Sequence, residues 1–175
     1  IRTLSVFLYY NVSMMEKSEF LKSTILPDKV MKIARAVKAK NGRALLVGGY
    51  VRDLILNKFG YQVEPKDPDI EIYQIEADRL RELLKRFGPV DEVGAVFSVF
   101  KVGEIDVAIP RRDSKISAGH RGFMVEGEPD MSFAEATKRR DFTMNAIGLD
   151  PLTGEVFDEH DGVEHIKQKI IHAVD

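Results

Sequence analysis

The sequence predicts an α+β fold, in which helices and short strands alternate along the chain. Two segments, 27–40 and 77–87, repeat apolar residues at the i, i+3, i+4, i+7 spacing of an amphipathic helix. Short apolar runs bounded by glycine, proline or charged residues predict the strands. Two such runs separated only by Gly103 and Glu104 predict a tight hairpin.

Composition limits the classes of protein to which the chain can belong. Its 175 residues, 44% hydrophobic and 31% charged, fit one ordinary globular domain. There is no cysteine, which excludes disulfides and thiolate metal sites and favours a cytoplasmic protein. The apolar runs are too short to span a membrane. A net charge of −2 implies that any RNA contact uses a local basic patch or another part of the protein.

Residues 1–26 are predicted to form an N-terminal leader or extension outside the catalytic domain, which occupies 27–175. The apolar run at 4–10 is short for a signal peptide and lacks a small-residue cleavage site after it, and an edge strand is an equal interpretation. We expect Met14 or Met15 to be the natural start.

The remaining elements follow from periodicity and turn residues. In order, they are a helix at 27–40, a strand at 44–47, a helix at 50–58, a strand at 70–73, a helix at 77–87, strands at 90–93, 97–102 and 105–109, and helices at 132–139, 143–149 and 163–169. Ser132 followed by Glu135 is a capping-box pattern. The polar segment 111–130 lacks periodicity and is predicted to be a mobile loop.

Three aspartates are the candidate metal ligands and catalytic groups. Asp67 and Asp69 have the period of a strand, so both side chains face one side and can share an ion. Asp106 lies mid-strand between apolar residues, where a lone charge is costly without a partner or a metal. Oxygen ligands suit Mg²⁺, and a two-metal site activates a hydroxyl and neutralises a polyphosphate.

A purely structural interpretation of the same acids stays open. Asp67 would then cap a turn, and Asp69 would lie on the surface of an edge strand. Glu71 shares the parity of Asp69 but lies farther along the strand, so we expect a solvated side chain. The glycine turn upstream and Asp106 downstream favour the metal-binding interpretation for Asp67 and Asp69.

Gly48 and Gly49 are candidate phosphate-binding residues, because glycines at a strand-to-helix turn let the backbone approach phosphate oxygens. Arg52 can bind phosphate through its planar donor fork, and Asp53 can hold Arg52 in place. An ordinary tight turn is the alternative. Together with the aspartates, this segment predicts a site for a nucleoside triphosphate with metal.

The segment 139–146 mixes charged and apolar residues closely, which suggests that it grips a polar ligand. Its candidate residues are Arg139, Arg140, Asp141 and Asn145. The alternative is a helix start, with Asp141 or Thr143 as the N-cap and the arginines in solvent.

These motifs together resemble the head domain of the class II tRNA nucleotidyltransferase (CCA-adding enzyme) and bacterial poly(A) polymerase family, within the polymerase β-like nucleotidyltransferase superfamily. The resemblance covers roughly residues 30–175. The matching blocks are Leu46-Val47-Gly48-Gly49-Tyr50-Val51-Arg52-Asp53, Lys66-Asp67-Pro68-Asp69, Asp106-Val107-Ala108 and Arg139-Arg140-Asp141-Phe142-Thr143-Met144-Asn145-Ala146.

The resemblance implies a small mixed, mostly antiparallel sheet flanked by helices. It also implies transfer of a nucleoside monophosphate from ATP or CTP to the 3′ end of RNA, most often tRNA, with Mg²⁺ and release of pyrophosphate. The roles it implies are metal binding by Asp67 and Asp69, hydroxyl activation by Asp106, triphosphate binding by Gly48, Gly49 and Arg52, phosphate contact by Arg139 or Arg140, and ribose contact by Asp141 and Asn145.

The chain also departs from the family pattern. The neck domain's base-reading Glu-Asp-x-x-Arg-type motif does not occur, and body and tail domains are absent. We therefore expect an isolated head that binds metal and, weakly, a triphosphate, that is weakly active or inactive alone, and that leaves RNA binding mainly to those other domains. The alternatives are a poly(A) polymerase acting on other RNA, an enzyme that modifies a small molecule or a protein, and a non-catalytic RNA-binding module. Intact aspartates argue against the last of these.

Overall fold

A computed structural model of the protein describes residues 24–93, 99–112 and 127–174. Its helices and strands are, in chain order, α1 Asp28–Lys38, β1 Arg43–Val47, α2 Gly48–Lys58, β2 Asp69–Tyr73, α3 Ala77–Leu84, β3 Asp91–Val93, β4 Val99–Val102, β5 Ile105–Ala108, α4 Phe133–Thr137, β6 Ile147–Leu149, β7 Val156–Asp158 and α5 Gly162–Gln168. Short 3₁₀ helices lie at Lys85–Phe87 and Thr143–Asn145.

All seven strands belong to one sheet, in the order β3-β4-β5-β2-β1-β6-β7. The pair β2–β5 is parallel, and the five other pairs are antiparallel. The predicted α+β class and the mixed, mostly antiparallel sheet are therefore confirmed. The parallel pair lies in the middle of the sheet, with antiparallel strands on both sides of it.

The main core lies under one face of the sheet, and helices α1, α2, α3 and α5 contribute buried residues to it. Helix α1 buries Val30, Ile33, Ala34 and Val37, the set that its periodicity predicts. Helix α3 buries Leu80, Leu83 and Leu84 in the same way. From β2, Ile70 and Ile72 point into this core and are at most 1% exposed. Because side chains alternate along a strand, Asp69 and Glu71 point to the opposite face.

That opposite face carries a smaller apolar cluster of Leu45, Val47 and Tyr73, against which Phe133 and Phe157 pack. The two phenylalanine rings meet edge to face with their centroids 5.7 Å apart. The close approach of α4 to the sheet depends on Gly148, because a Cβ there would lie 2.8 Å from the Phe133 ring. The candidate site therefore opens beside this cluster, on the face that helices cover least.

The predicted helix at 143–149 is wrong. The chain forms a single 3₁₀ turn at Thr143–Asn145 and then enters strand β6. All three residues of β6 are buried, and Leu149 pairs with Leu46 of β1. A short strand that is covered on both faces shows no polar alternation, so its apolar run resembles a buried helix turn.

Two predictions lie largely outside the described residues. The extension at 1–26 is described only from residue 24, and the loop at 111–130 is described only at 111–112 and 127–130. The domain boundary at residue 27 stays a prediction. In the part of the chain that the structure describes, no helix is long and apolar enough to cross a membrane.

Candidate active site

The parallel pairing of β2 and β5 brings two of the predicted aspartates together. Asp69 is the first residue of β2, and its partner in the register is Asp106 of β5. Both side chains point to the same face, because Ile70 and Val107, the next residues of each strand, are in the core beneath. The backbone pairing of the sheet thus sets two carboxylates side by side that are 37 residues apart in sequence.

One carboxylate oxygen of Asp106 lacks a hydrogen-bond donor. Its Oδ1 is buried and accepts no hydrogen bond from the described residues, although the side chain as a whole is 45% exposed. Lys101 Nζ of β4 lies 3.5 Å from this oxygen, as an ion pair without hydrogen-bond geometry. A buried carboxylate oxygen without a donor is costly unless another cation reaches it.

Asp69 lies in an environment that disfavours its charge. Burial raises the pKa of the Asp69 carboxyl above its usual value, and the negative charges of Asp106 and Asp67 raise the pKa further. The guanidinium of Arg140 opposes this shift. The net effect is that the ionised form of Asp69 is disfavoured at this position.

The donor chemistry fits a divalent metal such as Mg²⁺, which prefers carboxylate oxygens. An orphaned oxygen on Asp106 and a repelled carboxylate on Asp69 would both gain from a shared cation. Asp67 precedes β2 in a left-handed backbone conformation, with φ 49°, and is exposed. Within the described ranges, no group of three or more His, Asp or Glu side chains is gathered closely enough to hold a metal ion. That all three aspartates bind metal stays a prediction.

The glycine pair begins helix α2 itself, two residues earlier than predicted. Gly48 has φ 71°, which favours glycine, and a Cβ there would lie 3.2 Å from Asp69 Oδ2 and 3.4 Å from Arg140 Nη1. The absence of a side chain keeps open the space between the carboxylate and the guanidinium. The first N–H groups of α2 lack helical partners at this end, which suits an anion.

Arg52 is held by a chain of polar contacts that joins α2 to the segment 139–146. Asp53 Oδ1 accepts a hydrogen bond from Arg52 Nε at 2.9 Å and forms an ion pair with Arg52 Nη2 at 2.8 Å. Arg52 Nη1 donates to Asn145 Oδ1 at 3.0 Å, and Asn145 Nδ2 donates to Asp141 Oδ1 at 3.3 Å. The hydrogen bond from Asn145 lowers the pKa of Asp141 below its usual value. Four predicted or flanking polar residues thus form one network beside the glycines.

The expectation that Glu71 is solvated is wrong. Glu71 is 2% exposed, and its Oε1 accepts hydrogen bonds from Arg139 Nη2 and Arg140 Nη2, each at 3.0 Å. Its Oε2 accepts from the Tyr73 hydroxyl at 2.9 Å. Burial and the adjacent Glu71 carboxylate raise the pKa of Tyr73, which keeps the phenol protonated as a donor. β2 is a central strand, and the segment 139–140 covers this part of it, so the carboxylate is buried between two cations.

Glu71 and Tyr73 are therefore the residues of the site that sequence analysis missed. The signal was present: Glu71 alternates with two core isoleucines on the same strand as Asp69. A glutamate at that position has either water or basic partners, and two adjacent arginines occur downstream.

A second feature adjoins the site. A cleft of about 390 Å³ is lined by Arg111, Arg112, Glu135, Lys138 and Arg139. Arg112 donates to Glu128 at 3.0 Å and to Glu135 at 3.2 Å. Four of the five lining residues are basic, so the cleft carries a net positive charge next to the carboxylates.

Comparison with known proteins identifies the family of the chain. The family model of the poly A polymerase head domain matches residues 44–172. The multifunctional CCA protein of Xanthomonas campestris pv. campestris strain B100 is 36% identical over 129 residues, which cover 74% of this chain and 30% of that protein. The chain thus spans about 30% of the length of this curated relative.

Solved structures show the same fold. The Bacillus stearothermophilus CCA-adding enzyme in complex with CTP matches with a TM-score of 0.64 and 28% identity, over 85% of this chain and 34% of that one. The Thermotoga maritima CCA-adding enzyme complexed with tRNA matches in fold, with a TM-score of 0.66 and 21% identity, over 91% of this chain and 36% of that one. On this evidence, the chain belongs to the family of the poly A polymerase head domain.

Proposed function

We propose that this chain is the catalytic head of an enzyme that transfers a nucleoside monophosphate from ATP or CTP to the 3′ end of tRNA. The observation that carries the proposal is the pairing of Asp69 with Asp106 across the parallel strands, directly beside the open backbone of Gly48. Paired carboxylates next to a phosphate-accepting helix end suit nucleotidyl transfer. The names of the relatives, CCA protein and CCA-adding enzyme, support tRNA as the acceptor.

In the reaction, the oxygen of the RNA 3′ hydroxyl attacks the α-phosphorus of the triphosphate. The bond between that phosphorus and the bridging oxygen to the β-phosphate breaks, and pyrophosphate leaves. Asp106, whose side chain is 45% exposed, orients the 3′ hydroxyl and accepts its proton. Asp69 and Asp67 supply the other oxygen ligands for Mg²⁺, which when bound neutralises charge on the phosphates.

The remaining residues hold the triphosphate. The backbone N–H groups at the start of α2, at Gly48 and Gly49, donate to phosphate oxygens, and Arg140 faces the same space. Arg52 is already fixed by Asp53 and Asn145, so it binds an anion with little loss of side-chain freedom. Asp141 and Asn145 lie at the far end of the same network, where we assign the ribose.

The test is incorporation of labelled ATP and CTP into tRNA that lacks its terminal CCA. We expect the longest native form that contains this chain to label this RNA in Mg²⁺, and its double variant Asp67→Ala/Asp69→Ala to lose at least about 100-fold of the rate, since two ligands of the metal are removed. Asp130→Ala, which changes an exposed aspartate that is not among the residues assigned to the site, is the matched control. Undiminished labelling by the double variant would refute the metal assignment.

Poly(A) addition to other RNA is the second candidate, and the family model's description favours it. The same assay with an unstructured RNA separates the two acceptors. Long homopolymer tails on that RNA, with no preference for tRNA, would favour poly(A) synthesis.

A further inference from the structure

Glu71 is a buried charge that the proposed reaction does not use. Its carboxylate lies two residues after Asp69 on the same face of β2, but both of its oxygens are occupied by protein donors. At 2% exposure it is out of reach of a substrate. Burying a carboxylate is unfavourable even when the charge is paired, and a buried ion pair often contributes little to stability. A functional role for Glu71 would explain the arrangement.

Glu71 binds both adjacent arginines, and beyond that contact the two side chains face different parts of the site. One oxygen, Oε1, receives Nη2 of both Arg139 and Arg140. Arg140 Nη1 is left 3.4 Å from the position of a Cβ on Gly48, next to Asp69 Oδ2, and among the described residues it makes no side-chain hydrogen bond of its own. Arg139 instead lines the basic cleft, and its buried Nε has no hydrogen-bond partner in the described part of the chain.

We propose that Glu71 is a positioning residue, which holds Arg140 so that the outer half of its guanidinium points at the phosphate space beside Gly48. This inference rests on the proposed function and refines it, because it assigns the phosphate contact to Arg140 and leaves Arg139 facing the cleft. Tyr73 completes the device by donating to the second oxygen of Glu71, which fixes the plane of the carboxylate.

The geometry gives the arginine fork two separate tasks. One nitrogen binds the carboxylate and the other remains available for a phosphate oxygen, whereas a lysine ammonium lacks two nitrogens that are held apart in one rigid plane. Without Glu71, the guanidinium is free to turn toward Asp69, whose charge already acts on it. Arg140 would then neutralise a metal ligand instead of contacting the triphosphate.

The experiment measures MgATP affinity of the full chain by calorimetry, for the wild type, Glu71→Gln, Arg140→Lys and the double variant. Glutamine keeps the size of the side chain and one acceptor but removes the charge. We expect each single variant to bind MgATP about tenfold more weakly, and the double variant to be no weaker than Arg140→Lys, because both changes remove the same contact. Glu155→Gln, which neutralises an exposed partner of Arg43, is the matched control and binds like the wild type.

Additive losses in the double variant, or unchanged affinity in Glu71→Gln, would overturn the assignment. Thermal unfolding identifies a variant that does not fold. In that case Tyr73→Phe replaces Glu71→Gln in the same cycle, with an expected loss of about threefold that Arg140→Lys again absorbs. A wild type that does not bind MgATP would instead refute the proposed function, and the two failures are thus distinguished.

Discussion

The ionised carboxylate of Asp69 is unfavourable for the stability of the fold but is the form that binds a metal ion. Because burial and the charge of Asp106 raise its pKa, the folded protein binds a proton at Asp69 more tightly than the unfolded chain does. Its contribution to stability is therefore complete below the unfolded pKa and is lost as pH rises through the raised folded pKa. At neutral pH the ionised carboxylate destabilises the fold, and a bound cation relieves that cost.

Asp69→Asn should therefore stabilise the protein in EDTA at neutral pH, and this gain should shrink as pH falls toward the pKa of a free aspartate. Thermal unfolding between pH 4 and pH 8 measures the difference. Mg²⁺ should raise the melting temperature of the wild type but not of the variant, and this effect should weaken in acid, where protons compete for Asp69. Asp130→Asn, with an exposed side chain, serves as the comparison. A gain that grows in acid would contradict the argument.

Gly48 and Gly49 are neighbours with different constraints. Gly48→Ala introduces a side chain at φ 71°, close to Asp69 and Arg140, and we expect it to cost about 1–2 kcal/mol of unfolding free energy. It should also abolish detectable MgATP binding, because the new methyl group occupies the phosphate space.

Gly49→Ala is the matched variant for stability. Gly49 lacks a positive φ, and the nearest atom to its built Cβ is Arg52 Nη2 at 3.3 Å, so a shift of a few tenths of an ångström in a side chain accommodates the new methyl group. Urea unfolding should show a smaller loss for Gly49→Ala than for Gly48→Ala. Equal losses would mean that the left-handed conformation of Gly48 is not the source of the cost.

Residue types carried much of the site prediction, since aspartates, glycines and arginines are recognisable from their chemistry. Residue types alone did not predict which side chains contact one another. Glu71 has the same sequence pattern whether its strand is an edge or a centre, and the answer depends on β5 pairing beside β2 from 37 residues away. Parity along a strand tells which face a side chain occupies, but only tertiary contacts tell what covers that face.

At the scale of elements, α4 shows how a short helix is fixed by one cap. Ser132 Oγ accepts a hydrogen bond from the Glu135 N–H at 3.2 Å, as the capping pattern predicts. The helix has only five residues, so one satisfied N–H is a large share of its local stability. Through Phe133 it covers the second face of the sheet, and its end leads directly to Arg139 and Arg140.

Ser132→Ala should lower the unfolding free energy by about 1 kcal/mol, because the Glu135 N–H loses its acceptor. Ser132→Asp, which keeps an acceptor at the cap, should be close to the wild type. Chemical denaturation measures both. If the two variants lose the same amount, the cap is not what stabilises the helix start.

Elements with one polar and one apolar face were predictable, and elements without such contrast were not. Helix α1 buries the four residues that its period selects. Strand β6 has no exposed residue, because β1 and β7 flank it and helices cover its faces. Its three residues are too few for any period to be measured, which is why the segment was wrongly predicted as helix.

At the scale of the whole molecule, the identified contacts face the parts that ATP and CTP share. Under the proposed function, the phosphates contact helix α2, Arg140 and the metal held by the carboxylates. The ribose contacts the network of Arg52, Asn145 and Asp141. None of these roles involves the base. We therefore expect this 175-residue chain to bind MgATP and MgCTP with affinities within about threefold of each other.

Competition between the two nucleotides for one labelled probe measures this ratio directly. A buried group that hydrogen-bonds one base rejects the other by far more than threefold, so a large preference would reveal a base-reading residue in this domain. Inorganic triphosphate should compete as well, since the contacts to phosphate dominate.

The parallel pairing of β2 and β5 keeps the geometry of the site independent of the side chains that occupy it. The spacing of Asp69 and Asp106 is set by main-chain hydrogen bonds between β2 and β5, and these bonds do not depend on which side chains the strands carry. A descendant that lost one of the two acids would keep the geometry in which it acted. A substitution that restored the missing carboxylate would place it at the same distance from its partner. The backbone therefore keeps the geometry of the site even in a protein that has lost the activity.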